Sequence, residues 1–194
     1  KIKEFTWKLN DTFWTNTTSI NKSFSTFGAS TIKLVAVTDS LCADSLVKVF
    51  EVAPQTQMDL VLGQDTQCYK NHSFSLVNNS SVPAGTVKYF WKYSNGDLDT
   101  VANPGAKTFT SSGKYQLTLL AITNKGCRDS VVNNLTLYPS PELDFEVNDV
   151  CGTDSARFFN PSKVSTGRII DWFWDLGDGN TSTNKHPIHH YNNL

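Results

Sequence analysis

A tryptophan opens the same short pattern three times along this chain, and that repetition constrains the fold more than any local motif. Trp7, Trp91 and Trp174 stand 84 and 83 residues apart, each followed by a polar turn (Asn10-Asp11, Asn95-Gly96-Asp97, Gly177-Asp178-Gly179). An aromatic residue then recurs 17 or 18 positions after each tryptophan, at Phe24, Phe109 and Tyr191. Gly28–Thr38 aligns with Gly113–Thr123, and in both copies a cysteine falls fourteen residues after the glycine, at Cys42 and Cys127. Asp44-Ser45 and Asp129-Ser130 then begin the next run. A second cysteine precedes an apolar run twice, Cys68 before Ser73–Leu76 and Cys151 before Ala156–Phe159. A fixed period of this size means a tandem array of one small unit.

Residue parity identifies the unit as β. Val87, Tyr89, Trp91 and Tyr93 put a large apolar group at every second position, with Lys88 and Lys92 on the other face. The same alternation runs through Phe5, Trp7, Leu9, through Ile170, Trp172, Trp174, Leu176, and through Tyr115, Leu117, Leu119, Ala121. A period of two is the signature of a half-buried strand. Asn, Gly, Asp and Ser clusters supply the turns, and no stretch carries helical periodicity. About seven short strands in roughly 85 residues predict an immunoglobulin-like sandwich. The expected fold class is all-β, tandem sandwiches with a repeat of roughly 84 residues and truncated terminal copies. Residues 1–54 read as the C-terminal part of one unit, 55–139 as a complete unit, and 140–194 as the N-terminal part of a third. The expectation is of a window from a longer protein, with Trp91 buried against Leu119 in the complete copy.

Composition excludes several function classes. The 194 residues carry a formal net charge of −1, so no long-range field favours nucleic acid or an anionic membrane. No apolar run approaches the length of a bilayer span. Abundant Ser, Thr and Asn with a single Met suit an extracellular chain.

The third copy, Trp174-Asp175-Leu176-Gly177-Asp178-Gly179 followed by Asn184-Lys185-His186-Pro187-Ile188-His189-His190-Tyr191, resembles the signature of polycystic-kidney-disease (PKD) domains. Gly113-Lys114-Tyr115-Gln116-Leu117-Thr118-Leu119 is similar to the Gly-x-Tyr-x-Val-x-Leu strand of that family. The first two copies have drifted, with Lys8 and Lys92 where the family has Asp. They also resemble the Cys-containing immunoglobulin-like repeats of Bacteroidetes surface proteins of the gliding-adhesin type, whose Gly-Cys-x-Asp element is matched by Gly126-Cys127-Arg128-Asp129. Cys42 follows Leu41 instead of a glycine. The resemblance implies the sandwich fold and a spacer, adhesive stalk or accessory module of a secreted hydrolase.

No constellation of residues points to catalysis. Ser, His and Asp are present without a nucleophile elbow or a paired acid and base, and three diverged copies of one sandwich leave no dedicated pocket. No catalytic residue, no enzyme activity and no cofactor are expected. Asp175, Asp178 and Asn180 are weak candidates for Ca²⁺, since oxygen ligands at a turn suit that ion, but Asp and Asn in a Gly-rich turn more commonly bond their own backbone. His186, His189 and His190 lie close together, yet His189 falls where the resemblance places a structural histidine. Among the aromatics, Trp7, Trp91 and Trp174 have core parity. Phe90 and Phe173 have the opposite parity, and Trp14 falls in a stretch read as irregular, so Phe90, Phe173 and Trp14 are the candidates for contact with glycan or protein. Asp-Ser/Thr-aliphatic triplets resemble the O-glycosylation acceptors of Bacteroidetes proteins, which singles out Ser40, Ser45, Thr100, Ser130 and Ser155; Asp-Ser is equally a turn pair before a strand.

Two cysteines per repeat in an extracytoplasmic chain suggest oxidation. Parity of count favours a Cys68–Cys127 bridge inside the complete copy. Topology opposes it, because the loops carrying the two residues lie at opposite ends of such a sandwich, beyond the ~7 Å Cα limit. The alternatives are a staple between successive copies, in which none of the four pair with each other, or four free thiols. Together these readings predict a non-catalytic stalk segment of a large secreted protein at the bacterial cell surface, associated with the outer membrane. Its partners would be neighbouring repeats of the same chain and surface polysaccharide or other surface proteins. The alternative is an accessory module of a secreted polysaccharide- or protein-degrading enzyme.

Overall fold

A computed structural model of the chain describes residues 1–151 and 154–191, and every long regular element among them is a β-strand. The first copy is one antiparallel sheet, β2-β1-β3-β4, made of β1 (Ile2–Leu9), β2 (Thr12–Thr15), β3 (Gly28–Thr38) and β4 (Ala43–Val52). The middle copy contains β5 (Leu60–Leu62), β6 (Thr66–Cys68), β7 (Phe74–Asn78), β8 (Val87–Tyr93), β9 (Leu98–Asp99), β10 (Gly105–Lys107), β11 (Gly113–Thr123) and β12 (Arg128–Tyr138). These form two sheets, β10-β7-β5 and β6-β12-β11-β8-β9. The third copy has β13 (Glu146–Val147), β14 (Ser155–Phe159) and β17 (Ile188–His190) in one sheet, with β15 (Trp174–Asp175) and β16 (Thr181–Ser182) as a separate hairpin. The chain is therefore built of tandem immunoglobulin-like β-units. The first copy holds the counterpart of β8-β9-β11-β12, and the third holds the counterparts of β5-β7-β10 and of the tryptophan hairpin.

The copies share registers, not only strands. Trp7 stands opposite Leu34 across β1 and β3, as Trp91 stands opposite Leu119 across β8 and β11. Leu34 faces Leu46, and Leu119 faces Val131. In every copy the tryptophan Nε1–H donates to a backbone carbonyl ten residues downstream: Trp7 to Thr17 at 3.0 Å, Trp91 to Val101 at 2.9 Å and Trp174 to Asn184 at 2.8 Å. An indole buried against a sheet must satisfy its one donor, and this bond ties the chain beyond the following hairpin back onto the tryptophan.

Among the described residues, only those of the middle copy close a core. Phe74 and Leu76 of β7 meet Trp91 and Tyr93 of β8, Leu117 and Leu119 of β11, and Leu135 and Leu137 of β12. Phe109 stacks on Tyr115 with centroids 3.7 Å apart, and the Tyr115 hydroxyl donates to the Ser111 carbonyl at 2.7 Å. Trp91 is 0% exposed, as the alternation along β8 predicts. Trp7 and Trp174 occupy the equivalent places but remain half-buried, because the facing sheet of the first copy and the last strands of the third are not among the described elements.

Two expectations need correcting. Ile170 is not on the apolar face: it is 84% exposed, and the regular strand covers only Trp174–Asp175, so the alternation from Ile170 to Leu176 overstates the strand's length. Trp14 is not in an irregular stretch. It lies on β2 directly opposite Trp7 and so shares that residue's face, while Phe13 points to the other side beside Lys8.

Candidate functional site

The residues singled out from sequence do not converge. Trp14 is half-buried on the inner face of the first copy, and Phe90 is half-buried in the middle copy opposite Leu120. Phe173, at 76% exposed, belongs to the third copy, where it borders an open cleft of about 530 Å³. Phe145, Phe158, Trp172, Trp174 and Tyr191 also line that cleft. Phe145 and Phe158 pack on the Trp174 ring at centroid distances of 5.6 and 5.7 Å, so the apolar floor is ordered by aromatic contacts. This cleft lies where the middle copy places β11 and β12.

The turn beside the cleft is held by its own acids. Asp175 Oδ1 accepts from the Gly177 backbone N–H at 3.0 Å, and Asp178 Oδ1 accepts from the Asn180 N–H at 3.1 Å. Asp178 Oδ2 takes the Asn180 side-chain amide at 3.0 Å and lies 2.8 Å from His189 Nε2. The bond to His189, reinforced by those from Asn180, lowers the Asp178 carboxyl to about 2. Asp175 Oδ1 and both Asp178 carboxylate oxygens are thus engaged as acceptors within the third copy. The histidines also part company: His186 Nδ1 accepts from the Asn160 N–H at 3.1 Å and the ring stacks on Phe159, while His190 Nδ1 lies 3.3 Å from the Asp154 carbonyl oxygen. Among the described residues no group of three His, Cys, Asp or Glu is placed to hold a metal.

Sequence reasoning missed one recurrent device. Ser80 Oγ accepts from the Asp59 N–H at 2.9 Å and donates to the Asp59 carbonyl, while its own N–H donates to Asn78 Oδ1. Ser162 repeats each contact with Asp144 and Asn160. The signal was present as Asn78-Asn79-Ser80 and Asn160-Pro161-Ser162, a pair of Asn-x-Ser triplets just after the second strand.

All four cysteines are free, and the Cys68–Cys127 bridge is not formed. Cys68 is paired beside Tyr138 at the end of β12, and Cys127 precedes its first residue. An eleven-residue strand separates them by on the order of 30 Å. The two positions mark the two junctions instead. Near Cys127, the Lys125 ammonium lies 2.7 Å from Glu51 at the end of the first copy. Next to Cys68, the Tyr69 N–H bonds the Tyr138 carbonyl at 2.7 Å and the Lys70 N–H bonds Ser140 Oγ at 2.9 Å. Ser40, Ser45, Thr100, Ser130 and Ser155 are all exposed, and Asp44 and Asp129 each accept from the N–H of the serine that follows.

Residues 138–194 match the family model described as the PKD domain. The pre-pro-metalloprotease PrtV of Vibrio cholerae is 30% identical over 104 residues, which is 53% of this chain and 11% of that protein. The chain thus spans about a tenth of the length of that curated relative. Among solved structures, the PKD1 domain of Vibrio anguillarum Epp shares 19% identity at a TM-score of 0.39, covering 46% of this chain and all of that one (100%). The PKD1 domain of Vibrio cholerae PrtV shares 26% identity at a TM-score of 0.35, over 44% of this chain and 98% of that one.

Proposed function

We propose that this chain is a non-catalytic stalk segment of a large secreted surface protein, setting distance and contributing contacts to surface polysaccharide or to neighbouring surface proteins. One observation supports the reading: the tryptophan N–H of every copy is committed to the carbonyl ten residues on, and the turn acids Asp97, Asp175 and Asp178 of the middle and third copies are engaged in bonds within their own copies. The junctions support it. The Lys125–Glu51 pair and the Tyr138-Pro139-Ser140-Pro141 link limit hinge motion between successive units. The Cys-containing repeat pattern and the exposed Asp-Ser/Thr triplets support a place at the bacterial surface, of the gliding-adhesin kind. The purified chain should turn over no polysaccharide or protein, and any affinity for polymer should be weak and sensitive to Phe173→Ser. Hydrolysis of a polymer by the purified chain would overturn this reading.

A second reading has its own observation. The 104-residue similarity to a secreted metalloprotease favours an accessory module that delivers a neighbouring hydrolase to its polymer. Co-sedimentation separates the two: an accessory module binds the insoluble polymer that its enzyme degrades, whereas a stalk binds surface material of its own cell.

A further inference from the structure

The outward face of the middle copy's five-stranded sheet gathers positive charge around an apolar centre. Trp91, Leu117, Leu119 and Ala121 are buried in or beside the core, so the residues between them on β8 and β11 point outward. On that outer face Leu120 stands between Phe90 and Ser130, and in the next row Ile122 stands between Lys88 and Arg128. Lys92, opposite Thr118, closes the other side of Phe90. Phe90, Leu120 and Ile122 are half-buried, while Lys88, Lys92 and Arg128 are exposed. Acids do not share the face: Asp129 is the one acid on β8, β11 and β12, and it stands opposite the buried Ala121, on the inward parity. Among the described residues, Lys88, Lys92 and Arg128 enter no ion pair.

The first copy shows that the fold does not require this set. There Glu4 and Ala43 flank Val37 in the register in which Lys88 and Arg128 flank Ile122. Thr6 opposite Val35 takes the place of Phe90 opposite Leu120, and only the lysine survives, as Lys8. Both sheets form, and like charges gathered on one face repel one another, so the cations of the middle copy are not a folding device.

We infer that this face binds an acidic polysaccharide, whose sugar rings lie on Phe90 and Leu120 while its uronate carboxylates reach Lys88, Lys92 and Arg128. The inference rests on the reading of the chain as a contact segment for surface polysaccharide, and gives that contact a place and a charge. Charge-assisted hydrogen bonds from ammonium and guanidinium groups suit a carboxylate. Spacing selects the polymer. The backbones at Lys88 and Arg128 lie about 10 Å apart across β11, and those at Lys88 and Lys92 about 13 Å apart along β8. Cations so far apart, with an apolar row between them, match charges carried singly on successive rings. A nucleic acid strand bears a phosphate about every 3.4 Å and would leave most of its charge unmatched. An acidic peptide finds no strand edge to extend, because β8 and β11 are each paired on both sides.

The test uses the whole chain and two polymers of one backbone: polygalacturonate, and its methyl ester, which keeps the rings and removes the charge. Titration calorimetry at low salt should show saturable binding of polygalacturonate, at least about tenfold tighter than that of the ester, with the two converging as salt is raised. Lys88→Glu with Arg128→Ala installs the residues that the first copy tolerates at these places, and should abolish the tenfold excess. Lys70→Gln, which removes one cation elsewhere in the same copy, should keep it. NMR signals of Phe90, Leu120 and Ile122 should shift on binding. Equal binding of acid and ester, no saturable binding of polygalacturonate, survival of the excess in the double variant, or shifts confined to other residues overturns the inference. So does a poly-glutamate peptide that binds as tightly and shifts the same signals, which would assign the face to an acidic protein. Failure of the stalk reading looks different: turnover of the polymer overturns that reading and leaves the acid excess and its mapped residues in place. Phe173→Ser should lower the affinity for acid and ester alike and leave their ratio unchanged.

Discussion

Replacing Trp91 with alanine tests the whole assignment, because the same residue in the other two copies serves as an internal control. Trp91 is 0% exposed, faces Leu119 across β11 and donates its indole N–H to Val101 at 2.9 Å. Truncating a fully buried tryptophan leaves a cavity and costs about 3–5 kcal/mol, of which the lost hydrogen bond accounts for roughly 1. Trp91→Phe keeps most of the ring and should cost about 1.5–2.5 kcal/mol. Trp7→Ala, in a sheet with no facing partner described, removes a side chain that remains half-wet and should cost no more than about 2 kcal/mol in its own copy. A repeat array need not unfold as one unit, so a single melting temperature would blur these effects. Native-state hydrogen exchange resolves them: the amides of Leu117–Ala121 report the middle copy, and their exchange free energy should fall by the stated amount in Trp91→Ala and stay unchanged in Trp7→Ala. A loss below about 1.4 kcal/mol at those amides would refute the placement of Trp91 at the centre of the middle copy's core.

Three further outcomes follow from individual residues. Leu41 has a φ of +63° in the hairpin turn where the middle copy places Gly126 at +81°; relieving a left-handed leucine should make Leu41→Gly stabilise the first copy by about 0.5–1 kcal/mol, read from exchange of the β3 amides, and a destabilised variant would contradict the alignment of the two turns. The Asp178 carboxyl is lowered from 3.8 to about 2 by its bonds to His189 and Asn180, so its contribution is present above pH 4 and is lost as pH falls toward 2; NMR signals of the Gly177–Asn180 turn should shift over that interval, and titration at an ordinary carboxylate pH would refute the pairing. Thiol titration of the unfolded, non-reduced chain should return four free cysteines, and a Cys68–Cys127 cross-link in a peptide map would contradict their placement at opposite ends of β12.

Most of the middle copy was legible in the sequence because burial there is complete on one face and parity reports burial. Tyr115, Leu117, Leu119, Leu135 and Leu137 are all buried as the alternation requires. Parity failed at Ile170, where the chain is apolar at alternate positions but has no neighbouring strand to make that alternation structural. Trp14 was misjudged for a related reason: β2 is four residues long, too short for a period of two to declare itself beside Asn and Thr. The candidate site was less legible still. Phe173 was marked by its parity alone, whereas the cleft it borders depends on Phe145 and Phe158, which sit on two different strands or loops and whose convergence on Trp174 no linear spacing reveals.

Comparing the copies within one chain separates what the fold needs from what the array needs. The tryptophan bond to the carbonyl ten residues on survives in all three, although the turn between them reads Asn-Asp, Asn-Gly-Asp or Gly-Asp-Gly. The Asn-x-Ser clamp survives in both copies that contain its strands. These contacts close a unit on itself and say nothing about its neighbours. The cysteines behave differently. Cys42 and Cys127 sit at one kind of end, held by the same bond from their N–H to the Thr38 and Thr123 hydroxyls, and Cys68 sits at the other end beside the exit of β12. At the junction between the first two copies, the loop that precedes Cys127 already reaches across to Glu51. Cys68 and Cys127 stand at opposite ends of the eleven-residue β12, which is why the within-copy bridge that counting alone suggested does not form.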